Sequence, residues 1–217
     1  MPLALAWGMP VLLHLDSSAD LEHSRSRAIT SAFAEAWAGA GAERSVVHRD
    51  LHRDALPHLP HPAAHGVPGD RDEASVPPDV AAVQQTLLDE LLAADVVVVG
   101  APMYNYSIPS TLKAWIDYVH LPGLTAGEGT TPLAGRPVVV ASARGAVYDA
   151  GTPTADWDLV TPYLSLLFGE VFGMTVHHVQ MNLTLAGVVP ALAPFAERGA
   201  AEFTAALATA RELGARL

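Results

Sequence analysis

A run of four valines and a glycine at 96–100 constrains this chain most, because it is followed at once by the loop 101–109 and then by a segment with helical periodicity. A short, fully apolar run is typical of a strand buried on both faces, as in a parallel sheet. In open α/β sheets, ligands bind in the crevice outside the carboxyl ends of the strands. The loop 101–109 is therefore the first candidate for a binding site.

The composition of that loop points to a flat, partly polar ligand. It contains Pro102, Met103, Tyr104, Asn105 and Tyr106. These residues offer an apolar surface together with one side-chain amide, and a flavin ring has an apolar edge and a hydrogen-bonding edge. A purely structural turn, usually shorter and richer in Gly or Asp, is the alternative. We expect Asn105 to meet the polar edge of a flavin and to stabilise charge on the reduced ring.

The rest of the chain alternates between strand and helix patterns. Strands are predicted over 10–15, 44–51, 96–100, 137–142 and 175–183, and helices over 24–40, 79–93, 109–119, 157–172 and 191–214. This alternation predicts an α/β fold, a flavodoxin-like doubly wound parallel sheet of five strands in the order 2-1-3-4-5. We expect one domain over 1–217, with 1–9 as an N-terminal extension and 52–78 as an irregular excursion rich in Pro and His.

Charge and composition exclude several functional classes. The 217 residues carry a formal net charge of −11, which disfavours a nucleic-acid partner. Cysteine is absent, which excludes disulfides, thiolate catalysis and cysteine-based metal sites. No apolar run approaches the ~20 residues of a membrane span, so we expect a soluble, cytoplasmic protein with no membrane partner.

The histidines do not form a recognisable metal motif. His58, His61 and His65 share the Pro-rich excursion but lack a regular ligand spacing, while the adjacent His177 and His178 point to opposite faces of a strand. We therefore expect no metal.

A second loop, after the first predicted strand, is rich in hydroxyl groups. Ser18, Ser24 and Ser26 bracket the predicted start of a helix. A helix N-terminus presents free N–H groups and partial positive charge, so it binds phosphate. No GxxxxGK[ST] or GxGxxG follows this strand, which disfavours nucleoside triphosphates and Rossmann-type dinucleotides. The alternative is that Ser24 only caps the helix. In the order 2-1-3-4-5 this loop and the loop 101–109 face each other.

Taken together, several segments resemble the family of FMN-dependent NADH azoreductases and NAD(P)H:quinone oxidoreductases. The segments are Ser17-Ser18, Ser24-Arg25-Ser26, Pro102-Met103-Tyr104-Asn105-Tyr106, Leu112-Lys113, Ala143-Arg144-Gly145-Ala146 and Leu159-Val160-Thr161-Pro162-Tyr163-Leu164. The resemblance covers nearly the whole chain. It implies a flavodoxin-like homodimer with one FMN per subunit and NADH or NADPH as electron donor.

The resemblance also assigns roles to individual positions. It implies that the phosphate end of FMN is bound by Ser18, Ser24, Arg25 and Ser26. It implies that the ring is lined by Pro102, Met103, Tyr104, Asn105 and Tyr106. It implies that the pyrimidine edge meets, mostly through backbone groups, the turn Ala143, Arg144, Gly145 and Ala146.

The sequence departs from the family pattern at three places. Ala143 and Ala146 replace a serine and a glycine of the usual turn, and the loop after 123–125 looks shortened. Tyr148 stands where a histidine is common near the active site, so it is the second candidate catalytic residue beside Asn105. Trp115, Phe168 and Phe172 have the spacing of packing or dimer contacts.

The predicted function is transfer of two electrons from NAD(P)H to quinone or azo acceptors by a ping-pong mechanism. Two alternatives stay open. One is a natural-product tailoring reductase acting on a polycyclic quinone-like metabolite, and the other is a flavodoxin-like electron carrier that docks on proteins. Oxidation of NAD(P)H by the isolated protein would distinguish an enzyme from a carrier.

Overall fold

A single parallel sheet organises the structure, a computed structural model that describes residues 9–127 and 132–217. Its strands are β1 (Val11–Asp16), β2 (Ser45–Asp50), β3 (Val96–Gly100), β4 (Pro137–Ala143) and β5 (Thr175–Met181). They are arranged in the order β2-β1-β3-β4-β5, which confirms the predicted flavodoxin-like topology. The half-exposed strand β2 lies at one edge, as its polar sequence indicates.

Helices cover both faces of the sheet and divide the core in two. They are α1 (Arg25–Gly39), α2 (Pro78–Ala93), α3 (Ser110–Val119), α4 (Val160–Leu164) and α5 (Ala196–Arg216). Val97 and Val99 face one apolar cluster, whereas Val96 and Val98 face the other. Burial on both faces explains why β3 is apolar without alternation. None of the helices in the described residues is long and apolar enough to cross a membrane.

The excursion 52–78 is irregular, as predicted, but it is firmly anchored. It contains two short 3₁₀ helices, Pro62–His65 and Glu73–Ser75. The buried amide of Gln84 on α2 donates to the carbonyls of Ala64 and Tyr118, at 2.7 and 2.9 Å, and accepts from Arg71. The excursion is therefore tied to both α2 and α3.

Two predicted helices differ from the structure. The segment 157–172 divides into a 3₁₀ turn (Ala155–Trp157), the short α4 and a π-helical turn (Ser165–Val171). The segment 191–214 begins as a 3₁₀ helix, Pro190–Phe195, because its two prolines cannot donate the backbone bonds of a regular helix. Phe195, which a regular helix over 191–214 would turn toward the core, is 43% exposed.

Candidate functional site

The two loops singled out in the sequence meet at the topological switch point between β1 and β3. Ser17 Oγ donates to the Gly100 carbonyl at 2.6 Å, at the junction of the two strand ends. The Tyr104 hydroxyl accepts from the Ala19 N–H at 2.9 Å and lies 3.2 Å from Ser18 Oγ. The structure thus brings together the serine loop (residues 17–26) and the aromatic loop (residues 101–109), as expected from the strand order.

The serine loop presents unused hydrogen-bond donors at the start of α1. Ser24 is the N-cap: its Oγ accepts from the Arg27 N–H at 3.3 Å and lies 3.1 Å from Ser26 Oγ. Within the described part of the chain, no hydrogen bond is recorded for the N–H groups of Arg25 and Ser26. Free N–H groups flanked by hydroxyls at a helix N-terminus suit a phosphate.

The side chain of Arg25 does not join these serines. Its guanidinium carbon lies 4.3 Å from the centroid of the Phe203 ring on α5. This cation–π contact directs the charge toward α5. What Arg25 offers to the serine loop is its backbone N–H, so the side-chain part of the sequence-based assignment is not supported by this geometry.

Arg27, which sequence reasoning missed, braces the serine loop from behind. Its Nε and Nη2 donate to the Ser18 carbonyl at 3.2 and 2.7 Å. Nη1 and Nη2 also pair with the two carboxylate oxygens of Asp50, at 2.7 and 2.8 Å. Burial alone would raise the pKa of Asp50, but hydrogen bonds from Arg27 and nearby N–H groups lower it to about 2. The charge pair therefore fixes Ser18 relative to the end of β2.

The aromatic loop contains a tight and strained hairpin. Tyr104 and Ser107 exchange backbone hydrogen bonds of 2.9 and 3.1 Å across the two residues between them. Asn105 and Tyr106 both have positive φ, at 49° and 72°, as a type I′ turn requires. Asn tolerates this conformation, whereas Tyr does so at a cost of about 1–2 kcal/mol. Such strain clusters at functional sites.

The hairpin leaves one amide available to a ligand. The Asn105 side chain is exposed, and no hydrogen-bond partner for it is found among the described residues. Pro102 is buried and Met103 is half-buried, and the Met103 N–H donates to the Ala143 carbonyl at 2.9 Å. The loop is therefore anchored to β4 through the Met103 N–H, while the Asn105 amide at its tip has no hydrogen-bond partner among the described residues.

The turn after β4 offers backbone N–H donors, whereas the Arg144 side chain is held in an ion pair. The Arg144 guanidinium is buried and pairs with Asp158 at 2.7 Å. No hydrogen bond is recorded for the N–H groups of Gly145 and Ala146 within the described residues. A Cβ on Gly145 would lie 2.8 Å from the exposed Leu185 side chain, so a larger residue there would displace that side chain. A contact to a ring through this turn would be made by backbone groups, in line with the resemblance.

The Arg144–Asp158 pair connects this turn to α4. Asp158 accepts from the N–H groups of Val160 and Thr161, at 2.9 and 3.1 Å, and from the Thr161 hydroxyl at 2.7 Å. Burial alone would raise the pKa of Asp158, but the bonds from Thr161 and Arg144 outweigh it and lower that pKa. Asp158 is thus a helix cap and an ion-pair partner at the same time.

Tyr148 lies close to the aromatic loop. It is half-buried, and burial together with the nearby Tyr106 hydroxyl raises the pKa of its phenol. The phenol is therefore protonated at neutral pH and can donate a hydrogen bond.

A cavity of about 490 Å³ opens beside the hairpin. Its lining residues are Tyr104, Asn105, Ser107, Ile108, Ser110, Lys113 and Tyr163. The cavity shares Asn105 with the aromatic loop, but the serines of the other loop do not line it. It is therefore adjacent to the free N–H groups of the serine loop and separate from them.

Comparison with known proteins identifies the family. A model of the flavodoxin-like fold family matches residues 11–209. The FMN-dependent NADH:quinone oxidoreductase of Kineococcus radiotolerans is 57% identical over 210 residues, which cover 96% of this chain and 100% of that protein. The chain belongs to this family. A second member, from Streptomyces coelicolor, is 41% identical over 186 residues, covering 85% and 84% of the two chains.

A solved structure extends the same likeness. The crystal structure of an azoreductase from Bacillus anthracis has a TM-score of 0.77 and 25% identity, covering 96% of this chain and 100% of that one. The resemblance inferred from the sequence motifs is therefore confirmed.

The donor set at the switch point fits FMN. The free N–H groups of Arg25 and Ser26, with the hydroxyls around them, suit a terminal phosphate. The Asn105 amide and the N–H groups of Gly145 and Ala146 supply donors for the polar edge of a ring. Each of these groups is left without a partner by the described residues, so a bound ligand would complete their hydrogen bonding.

Proposed function

We propose that this chain is an FMN-dependent oxidoreductase that passes two electrons from NADH or NADPH to quinone or azo acceptors. One observation carries the proposal: the unused donors of the serine loop and the unpaired amide of the aromatic loop lie at the same switch point. The relatives named above are FMN-dependent NADH:quinone oxidoreductases and an azoreductase, which supports the same activity here.

In the proposed mechanism, the protein binds and orients while the cofactor reacts. Bound FMN would supply the two-electron redox chemistry between the nicotinamide and the acceptor. Ser18, Ser24 and Ser26 hold the phosphate end, and Arg27 keeps Ser18 in place through its carbonyl. Asn105 and the N–H groups of the turn 143–146 stabilise the negative charge that develops on the polar edge. Tyr148, protonated at neutral pH, would donate a hydrogen bond to the acceptor.

We further propose that turnover is ping-pong. A single stacking surface beside the hairpin serves both donor and acceptor, because each must approach within ~3–3.5 Å of the reacting atom. The two substrates would then occupy it in turn. The cavity beside the hairpin supports this proposal, because Tyr104 and Asn105 both line it and a substrate held there would lie next to the amide.

We also propose a homodimer that acts in the cytoplasm, where NADH is available. Exposed apolar side chains gather near the candidate site: Tyr106, Trp157, Leu159 and Leu166 are 47–55% exposed. Tyr106 and Trp157 pack edge to face, with ring centroids 5.5 Å apart. The Leu159 N–H also donates to the Tyr106 carbonyl at 3.0 Å, so three of these residues lie together, and exposed apolar side chains grouped in this way are typical of a protein interface. A stable dimer would bury more than about 1,000 Å² there.

The activity is tested with the purified, FMN-loaded chain. We expect NADH or NADPH oxidation that depends on an added quinone or azo dye, with parallel double-reciprocal plots at several acceptor concentrations. Asn105→Gly retains the positive φ and removes the amide, so it should slow reduction at least about tenfold, as removal of a charge-stabilising donor does. Intersecting plots would contradict the shared surface. Oxidation of NAD(P)H only after addition of a separate reductase would favour the electron carrier.

The assembly and its location are tested separately. Sedimentation at micromolar concentration should show a dimer, and Leu166→Asp should convert it to a single-chain species while circular dichroism stays unchanged. A monomeric parent protein would contradict the proposed interface. Recovery in the membrane or secreted fraction of lysed cells would contradict the proposed location.

A further inference from the structure

A histidine–aspartate–histidine cluster lies behind the serine loop and has no part in the proposed reaction. His14 and Asp16 are on β1, and His48 is the register partner of His14 on β2. All three side chains lie on the same face of the sheet, since residues two apart on a strand share a face. His48 is more than 30 residues from the other two along the chain, so no short sequence motif contains all three.

The three potential ligand atoms converge. Nε2 of His48 lies 3.0 Å from Asp16 Oδ2, and Nε2 of His14 lies 3.3 Å from the same oxygen. The imidazole and carboxylate atoms all lie within 4.8 Å of one another. Metal–ligand bonds of 2.0–2.2 Å in tetrahedral geometry place ligand atoms about 3.3 Å apart. The two separations from Asp16 Oδ2 to the imidazole nitrogens thus match those around a small divalent cation.

One member of the cluster lacks a partner that a cation would supply. The side chain of His14 is 94% buried, and its Nε2 has no hydrogen bond of acceptable geometry in the described part of the chain. A buried polar nitrogen left in this way is costly, so a partner is expected. The nitrogen faces Asp16 Oδ2, where a cation would lie.

The groups around Asp16 orient its carboxylate, as hydrogen bonds to metal ligands commonly do. Asp16 Oδ1 accepts from the Thr30 hydroxyl at 2.8 Å, which orients the carboxylate and leaves Oδ2 toward the histidines. Arg27 lies 3.6 Å from Oδ2, but its charge is matched by the bidentate pair with Asp50. His48 is half-exposed and provides a route from solvent.

We propose that His14, Asp16 and His48 form a binding site for a first-row divalent cation, with Zn²⁺ as the ion that best suits two imidazoles and one carboxylate. Solvent at the exposed side of His48 would complete four-coordination. The ion would link the edge strand β2 to β1 directly below the serine loop. The proposal departs from the sequence-based expectation of no metal, because these ligands come together only through strand register.

The site is tested on the full chain without a histidine tag, with and without FMN. After treatment with a chelator, Zn²⁺ is titrated in competition with a chromophoric chelator, and Co²⁺ is added to a second sample. We expect one Zn²⁺ per chain, a visible Co²⁺ spectrum of the tetrahedral type, and a higher melting temperature with Zn²⁺.

Matched variants identify the ligands. His48→Gln should weaken Zn²⁺ binding by at least about tenfold and remove the Co²⁺ spectrum, while its half-exposed position preserves the fold. His14→Gln, which changes the buried ligand, should weaken Zn²⁺ binding in the same way. His23→Gln, at a side chain 85% exposed, and a joint His58→Gln, His61→Gln and His65→Gln variant should bind like the parent.

Three outcomes would overturn the proposal. The first is that the protein takes no Zn²⁺ from the competing chelator. The second is that the parent and His48→Gln bind Zn²⁺ with equal affinity. The third is that the joint variant of the three histidines in the excursion 52–78 no longer binds Zn²⁺. Because Zn²⁺ binding is measured in the absence of FMN and nicotinamide, its failure is separate from any failure of the proposed oxidoreductase activity.

Discussion

The two loops that meet at the switch point are built in opposite ways. The serine loop is braced from behind by Arg27, whose guanidinium joins the Ser18 carbonyl to Asp50, and by the buried Thr30–Asp16 bond. The aromatic loop ends in a hairpin with two positive φ values and an unpaired amide. The difference indicates that the phosphate end is rigid and preorganised, whereas the ring end holds strain and leaves its polar tip open to ligands.

The bracing of the serine loop should be sensitive to a single change. Arg27→Ala leaves the buried Asp50 carboxylate without its partner, so the free energy of unfolding should fall by about 3 kcal/mol, as for a broken buried ion pair. Denaturant unfolding of the FMN-free protein measures it. The matched control is Arg53→Ala, because Arg53 also lies near Asp50, at 3.4 Å, but is 65% exposed. The control should lose less than about 1 kcal/mol, and equal losses would contradict the bracing role.

The donors of the serine loop should act on affinity more than on folding. Ser18→Ala and Ser26→Ala should each weaken FMN binding by about 1.5–3 kcal/mol, the range for a hydrogen bond to a charged group. Fluorescence titration with FMN measures the dissociation constant. Ser45→Ala, on the exposed edge strand β2, is a control that should bind FMN like the parent. Unchanged affinity in both loop variants would remove the phosphate assignment.

The ion pair behind the turn 143–146 should make stability depend on pH. Asp158→Asn removes a charged hydrogen bond and should lower the free energy of unfolding by about 1.5 kcal/mol at neutral pH. Because the folded-state pKa of Asp158 is lowered, its contribution is complete above the ordinary value of 3.8 and is lost as the pH falls through the folded-state value. The gap between parent and variant should therefore close in acid. A gap that is constant with pH would contradict the charge effect.

The strain in the aromatic loop should be measurable at Tyr106. Tyr106→Ala and Tyr106→Gly both remove the contact with Trp157, so their difference isolates the backbone conformation at φ 72°. We expect the alanine variant to be less stable than the glycine variant by about 1 kcal/mol. Thermal or denaturant unfolding of the two proteins measures this directly. Equal stability would mean that the hairpin is not strained.

The sequence predicted the scaffold well because its signals are local. The apolar runs gave the strands, their alternation with helices gave the order β2-β1-β3-β4-β5, and the order placed the two loops face to face. Ion pairs between residues on different elements could not be predicted from the sequence in the same way. Arg27 pairs with Asp50, and Arg144 with Asp158, through contacts that depend on register and on the path of α4. The sequence therefore did not show that the Arg144 side chain is held within the protein, which leaves only the backbone of the turn for a ligand.

Local conformation set the remaining limits. Asn105 and Tyr106 have positive φ although neither is glycine, so the sequence does not predict the hairpin. Phe195 looked like an inward position of a regular helix, but two prolines turn its segment into a 3₁₀ helix with a different periodicity. For Phe195 the side-chain pattern fits a regular helix that the backbone does not form, whereas for Asn105 and Tyr106 the sequence predicts a loop but not its left-handed turn.

The buried amide of Gln84 has a consequence for the motions of the excursion 52–78. It joins the carbonyls of Ala64 and Tyr118 and accepts from Arg71, so the excursion cannot open without breaking bonds to α2 and α3. Loops held only at their ends exchange their amide hydrogens quickly, whereas segments tied to the core open together with it. The protected amides around Ala64 should therefore exchange with deuterium at the rate of α3, as one cooperative unit.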